Sequence, residues 1–316
     1  MNLKRSGLAA ILACGILASP VLAAAPPGIP DGWSDAFVYS NGARLHYYHA
    51  VPQPGKPVIV MVHGVTDNGL TWTTLTKDLQ NKYDIYMLDA RAHGLSDPFP
   101  ESATGDTLVE DVVGFVRAMK IEKPILMGHS MGAATVIRLA AQYPDLPRAA
   151  IMLDPGLGAR PMGMAPARPP AATPPAPQPR RPGSMSMFGN PEDMVAQNND
   201  SFENFVATCA RQTPLWDPVD CQYWALSKKQ YHGAYSQAQR QAMRGTMDTA
   251  DALAKITVPA LILKADASPE VRANNEKAVS ALKNIKLVHV DGAAHNLHHD
   301  KRARTVELLT EFMNEL

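Results

Sequence analysis

Short, mostly apolar runs alternate along this chain with longer stretches whose apolar residues recur every third or fourth position. Residues 56–62, 83–88, 124–127, 148–154, 259–263 and 286–290 form the short runs, the pattern of strands buried on both faces of a parallel sheet. Between them, 70–80 predicts a helix with Trp72, Leu75 and Leu79 on one face. Residues 107–119 predict another, with Leu108, Val112, Phe115, Val116 and Met119 at helical spacing and Thr107 and Glu110 as its capping box. A small-residue helical run extends from Ser130 to Tyr143, with Pro144 behind it. This alternation predicts an α/β protein, a mostly parallel sheet with helices on both faces. Ahead of it, two alternating aromatic-rich runs, 36–40 and 43–48, flank Asn41-Gly42 and predict a hairpin, because both turn residues must tolerate positive φ. His46 and His49 read as strand surface.

The pattern breaks after Pro155-Gly156. From 159 to 183 proline dominates, with Arg160, Arg168, Arg180 and Arg181 among it, which excludes regular helix or sheet. From 191 to about 251 the composition is again helical and amphipathic, and this stretch holds Trp216, Trp224, Cys209 and Cys221. At 316 residues, 46% hydrophobic and 19% charged, the chain is large enough for one big core with an inserted subdomain. The expected division is a leader at 1–23, a core at 31–155 and 251–316, and an insertion at 156–250.

The first residues differ in composition from the rest. Lys4 and Arg5 precede an almost uncharged run from Gly7 to Ala25, and Val21-Leu22-Ala23 offers a small-residue cleavage site. This reads as a signal peptide at 1–23, too short in its apolar part to span a membrane comfortably. Export to the periplasm or medium is therefore expected, with an uncleaved anchor as one alternative. Ile11-Leu12-Ala13-Cys14 also resembles a lipoprotein box, which would make Cys14 a lipidated terminus. Removing the leader leaves 28 Lys+Arg against 30 Asp+Glu. No basic run or basic–aromatic interleaving points to nucleic acid, and no later segment is apolar and long enough for a membrane span. In an oxidising compartment Cys209 and Cys221, close in sequence, are expected to pair; the alternative is two separately buried thiols. Neither has a Cys or His partner at finger-like spacing, so no metal site is expected.

The chemistry centres on Gly128-His129-Ser130-Met131-Gly132. A Gly-x-Ser-x-Gly between a buried strand and a helix is the nucleophile-elbow context, in which a strained turn holds the serine hydroxyl out above the sheet. On these residues the chain resembles the α/β-hydrolase fold family, over 31 to the C-terminus and more weakly between 156 and 250. The likeness implies that the loop after His63-Gly64 supplies half of an oxyanion hole, with backbone N–H groups of Val65 and Met131 as donors. His63 would hold that loop. Asp89-Ala90-Arg91-Ala92-His93-Gly94 is similar to a family turn that usually has glycine where Ala92 stands. The likeness also implies His295, in the loop after the last strand, as general base; His298 and His299 follow at the start of the final helix, where adjacent residues face different ways. The acid is preferentially Asp266, after the seventh strand, with Asp154, ending the sixth, as the alternative. It also implies that 156–250 is an inserted helical cap.

The resulting expectation is an exported serine hydrolase that cleaves small or medium carboxylic esters through an acyl-enzyme on Ser130, without a cofactor. Serine at the elbow argues against the dehalogenase and epoxide hydrolase branches, which place aspartate there, and a large cap argues against long polyester chains. A lactonase, an acyltransferase or perhydrolase on the same residues, and a non-catalytic binding protein are the alternatives. The oligomeric state stays open.

Overall fold

The computed structural model describes residues 26–103, 105–157 and 191–316. The leader at 1–23, with Cys14, and the proline-rich run at 159–183 lie outside the described residues.

Eight strands among the described residues form one sheet. In chain order the elements are β1 (Ser34–Ser40), β2 (Ala43–His49), β3 (Val58–Val62), α1 (Thr73–Leu79), β4 (Asp84–Leu88), α2 (Thr107–Ala118), β5 (Ile125–His129), α3 (Met131–Gln142) and β6 (Ala149–Leu153). Then come α4 (Pro191–Asn198), α5 (Phe202–Gln212), α6 (Pro218–Gln230), α7 (Gln237–Arg244) and α8 (Thr249–Leu253). The chain closes with β7 (Ala260–Lys264), α9 (Pro269–Val279), β8 (Ile285–His289), α10 (Leu297–Asp300) and α11 (Arg302–Asn314). The strand order is β1-β2-β4-β3-β5-β6-β7-β8. The β1–β2 and β2–β4 pairs are antiparallel, and the pairs from β4 to β8 are parallel.

Side chains alternate across a strand, so each continuous apolar run feeds two layers. Ile59, Met61, Ile125, Met127, Ile151 and Leu153 face one layer with Trp72, Leu75, Leu79, Leu309 and Phe312. Val60, Val62, Leu126, Ala150 and Met152 face the other with Val112, Phe115, Val136 and Leu253. Truncating one of the central side chains, such as Phe115→Ala, costs about 3–5 kcal/mol. Between β6 and β7 the chain leaves the sheet. Helices α5 and α6 are joined through Cys209–Cys221 and cover Trp216, whereas α8 returns to the sheet through Ala252 and Leu253.

Two local expectations fail for electrostatic reasons. The capping box at Thr107 does not form: Asp106 is the N-cap, in the left-handed region at φ 66, with no side-chain cap bond. Its carboxylate is drawn to Arg138 and Thr246, and Glu110 accepts from the Tyr143 hydroxyl at 2.6 Å. His46 is not on the surface but fully buried. Its ring bridges Asp89 at 2.7 Å and Asp35 at 3.0 Å. Those carboxylates raise its pKa against the lowering effect of burial.

Candidate active site

The serine sits where β5 turns into α3. Ser130 has φ 53 and ψ −110, a conformation that L side chains rarely adopt. Close packing on both sides explains the flanking glycines. A Cβ on Gly132 would lie 1.9 Å from the Val62 carbonyl oxygen, and one on Gly128 would lie 2.2 Å from that of Gly132. Ser130 N–H donates to Leu153 O at 3.0 Å, and Gly132 N–H donates to His63 O at 3.1 Å. The turn is thus pinned to β6 on one side and to the loop after β3 on the other.

His295 reaches the serine from the loop after β8. Its Nε2 lies 2.9 Å from Ser130 Oγ, and its Nδ1 lies 2.6 Å from Asp154 Oδ2. A carboxylate can only accept, which places the ring proton on Nδ1 and leaves Nε2 free to take the serine proton. Asp154 follows β6 at φ 47. Its other oxygen accepts from Lys264 Nζ at 2.5 Å and from Ala265 N–H at 3.1 Å. Burial alone would raise the Asp154 pKa, but the His295 ring and the Lys264 ammonium hold the carboxyl well below the usual range. It stays ionised and oriented.

Asp266, the preferred acid in the sequence reading, lies elsewhere. Its carboxylate accepts from Arg272 at 2.5 Å and from Gly292 N–H at 2.8 Å, and its own N–H donates to Ala293 O at 2.9 Å. The Arg272 guanidinium and the Gly292 and Ala267 N–H donors lower its pKa. Among the described residues no hydrogen bond joins Asp266 to His295. It fixes the loop that carries His295, and Asp154 takes the position against the ring.

The loop after β3 holds the other predicted main-chain donor. His63 donates from Nδ1 to Gly64 O at 2.7 Å and accepts Ala90 N–H at Nε2, 3.0 Å away. Asp67 N–H also donates to Gly64 O, at 3.2 Å. Because a trans peptide is planar, anchoring this carbonyl on one side aims the Val65 N–H to the other. Met131 opens α3, so its N–H has no intrahelical acceptor. Val65 and Met131 lie in one apolar cluster with Ala90, Ala92 and Phe99. Ala92, where the resembling family has glycine, takes φ 64.

Several residues of the site carried no recognised signal in the sequence. His129, beside the serine, donates from Nε2 to the His295 carbonyl at 3.0 Å. Burial and the nearby His295 ring push its pKa down to about 3, so it is neutral and acts as a fixed donor. Lys264 closes an otherwise apolar strand, which is the one feature that marks it. His298 and His299, expected to face different ways, have ring centroids 4.2 Å apart with planes tilted by 40° on the single turn of α10. His298 lies against Trp72 and His129, and His299 against Trp216. Among the described residues no group of three or more His, Cys, Asp or Glu is arranged to hold a metal ion. No helix among them is long and apolar enough to cross a membrane.

Residues 59–308 match the family model described as the alpha/beta hydrolase family. The chain is 26% identical over 264 residues to 2-(acetamidomethylene)succinate hydrolase of Mesorhizobium japonicum, covering 82% of this chain and 88% of that protein. It is 37% identical over 121 residues to N-formylmaleamate deformylase of Pseudomonas putida, covering 37% and 44%. The solved enol-lactonase from Burkholderia xenovorans superposes with a TM-score of 0.59 at 19% identity, over 88% of this chain and 100% of that one.

Proposed function

The chain belongs to the alpha/beta hydrolase family, and on that premise we propose that it is a serine hydrolase acting on carboxylic esters of small or medium size. One observation carries the reading: a single imidazole, His295, lies within hydrogen-bond reach of both Ser130 Oγ and Asp154 Oδ2. Serine is a weak nucleophile until a base takes its proton, and the base needs a carboxylate to fix its tautomer and stabilise its cation. In this mechanism Ser130 Oγ attacks the ester carbonyl as its proton passes to His295 Nε2. The Val65 and Met131 N–H groups hold the oxygen that becomes negative. His295 then protonates the departing alcohol, and water, activated by the same ring, releases the acid from Ser130.

Initial rates on p-nitrophenyl esters of increasing acyl length, with Ser130→Ala as control, test this reading. Hydrolysis by the native protein that the substitution removes is expected, and the length profile sizes the pocket. Absence of hydrolysis by folded protein on every ester overturns it.

A second reading is favoured by the names of the relatives. They include an acetamido compound, an N-formyl compound and an enol-lactone, each with an acyl carbon bonded to nitrogen or oxygen. Lactones and activated amides are therefore the second substrate class, on the same residues.

Export and a cap belong to the same proposal. The composition of 1–23 supports export, and so does the Cys209–Cys221 bridge, which suits an oxidising compartment. The N-terminal sequence of the protein recovered from the periplasm tests it: a start after Ala23 is expected. The reading of 156–250 as a cap is supported by α6, whose side chains reach the loops that flank the serine.

A further inference from the structure

Lys228, near the C-terminal end of α6, is 2% exposed, and its ammonium is not free for a ligand. It donates to Thr66 O at 2.9 Å, to Thr66 Oγ1 at 2.8 Å and to Asp67 Oδ1 at 2.8 Å. Three protons meet three acceptors, which is the full capacity of an ammonium. The acceptors belong to the turn that follows Gly64-Val65. Thr66 is β-branched and has φ 65, a conformation costly enough that the surroundings must hold it. Asp67 N–H closes the turn onto the Gly64 carbonyl, whose peptide carries the Val65 N–H. A second link runs from the same helix end, where Asn68 Nδ2 donates to Gln230 Oε1 at 2.7 Å.

From this geometry we infer that Lys228 is a positioning residue for the oxyanion hole, setting the direction of the Val65 N–H from the insertion between β6 and β7. The inference rests on the serine-hydrolase reading. Two physical effects support it. The ammonium locks the strained Thr66 turn, so the Val65 N–H needs no reorganisation when charge develops on the substrate oxygen. It also neutralises Asp67: a Cβ on Gly64 would lie only 2.8 Å from Asp67 Oδ2, so this carboxylate sits against the turn itself. Left unpaired, its negative charge would oppose a developing oxyanion. Lys228 thus makes the catalytic geometry of the core depend on the seating of α6.

The test compares native protein, Lys228→Met, Lys228→Arg and the double variant Lys228→Met/Asp67→Asn. It reads kcat and KM on p-nitrophenyl butyrate and the inhibition constant of an alkyl trifluoromethyl ketone, whose hemiketal oxyanion mimics the tetrahedral intermediate. Lys228→Met is expected to lower kcat about 10- to 100-fold with KM changed less than about threefold, and to weaken the ketone in parallel with kcat/KM. Lys228→Arg is expected to recover part of the loss. The double variant leaves no buried carboxylate unpaired, so it is expected to fold even where the single one does not, and to retain the kcat defect because the turn is no longer held. Full kcat and full ketone affinity in either methionine variant overturn the inference alone. A native protein that neither hydrolyses the ester nor reacts with a fluorophosphonate at Ser130 overturns the serine-hydrolase reading, and this inference with it.

Discussion

Asp154 Oδ2 lies 2.6 Å from His295 Nδ1, and the other oxygen of the same carboxylate is held by Lys264 at 2.5 Å. One oxygen is spent on the ring and one on a cation, so the carboxylate is both oriented and kept ionised. Asp154→Asn preserves the shape but permits the wrong imidazole tautomer, and kcat is expected to fall by roughly 10³- to 10⁴-fold. Asp266→Asn acts through the Arg272, Gly292 and Ala267 contacts and is expected to stay within about tenfold of native. Equal losses in the two variants would contradict the assignment.

Gly132→Ala tests the elbow. The added methyl would sit 1.9 Å from the Val62 carbonyl, a backbone atom that cannot swing aside as a flexible side chain can. The turn must open, which separates α3 from β3 and moves Ser130. Thermal melts and ester kinetics are expected to show lost stability of more than about 2 kcal/mol together with lost activity. A native-like variant would mean that the close approach is not required.

How far these features could be read from residues alone depended on the range of the physics involved. The sheet was legible because the continuous apolar runs of β3, β5 and β6 are local, and Ser130 because a strand, a glycine-bounded turn and a helix occupy adjacent positions. The acid was not, since Asp154 and Asp266 both follow strands next to each other in the sheet, and only the path of the His295 loop decides which one faces the ring. His46 looked like surface because its partner Asp89, just past the end of the neighbouring strand β4, is distant in sequence. Lys228 was unreadable for a related reason: its acceptors, Thr66 and Asp67, are far away in sequence and come together only when α6 is seated.

The Cys209–Cys221 bridge closes a loop with a sequence separation of 12 between α5 and α6. Constraining a loop of that size in the unfolded chain is worth about 3 kcal/mol. Reduction under native conditions, or Cys209→Ala/Cys221→Ala, is expected to lower the melting temperature by several degrees. Unchanged melting with free thiols verified by alkylation would show that the bridge adds no stability.

Asp67 links pH to stability. Burial would raise its pKa, but the Lys228 ammonium brings it down to about 2 from the ordinary 3.8. A depressed carboxylate contributes stability above its unfolded value and loses it as pH falls through the folded one. The contribution, about 2 kcal/mol, is expected to be present at pH 5 and largely gone by pH 2. Chemical denaturation between those limits checks it. Asp67→Asn is expected to be less stable at neutral pH, because Lys228 loses its counter-charge, but flatter across this window. An unchanged slope would assign the acid sensitivity to other groups.

The most direct measurement is intact-mass spectrometry after rapid mixing with a p-nitrophenyl ester and acid quench, followed by peptide mapping. The expected result is an adduct of one acyl group on the peptide carrying Ser130, absent from Ser130→Ala and appearing together with the p-nitrophenolate burst. Steady hydrolysis with no adduct at Ser130, and a Ser130→Ala variant that turns over at the native rate, would contradict the acyl-enzyme mechanism.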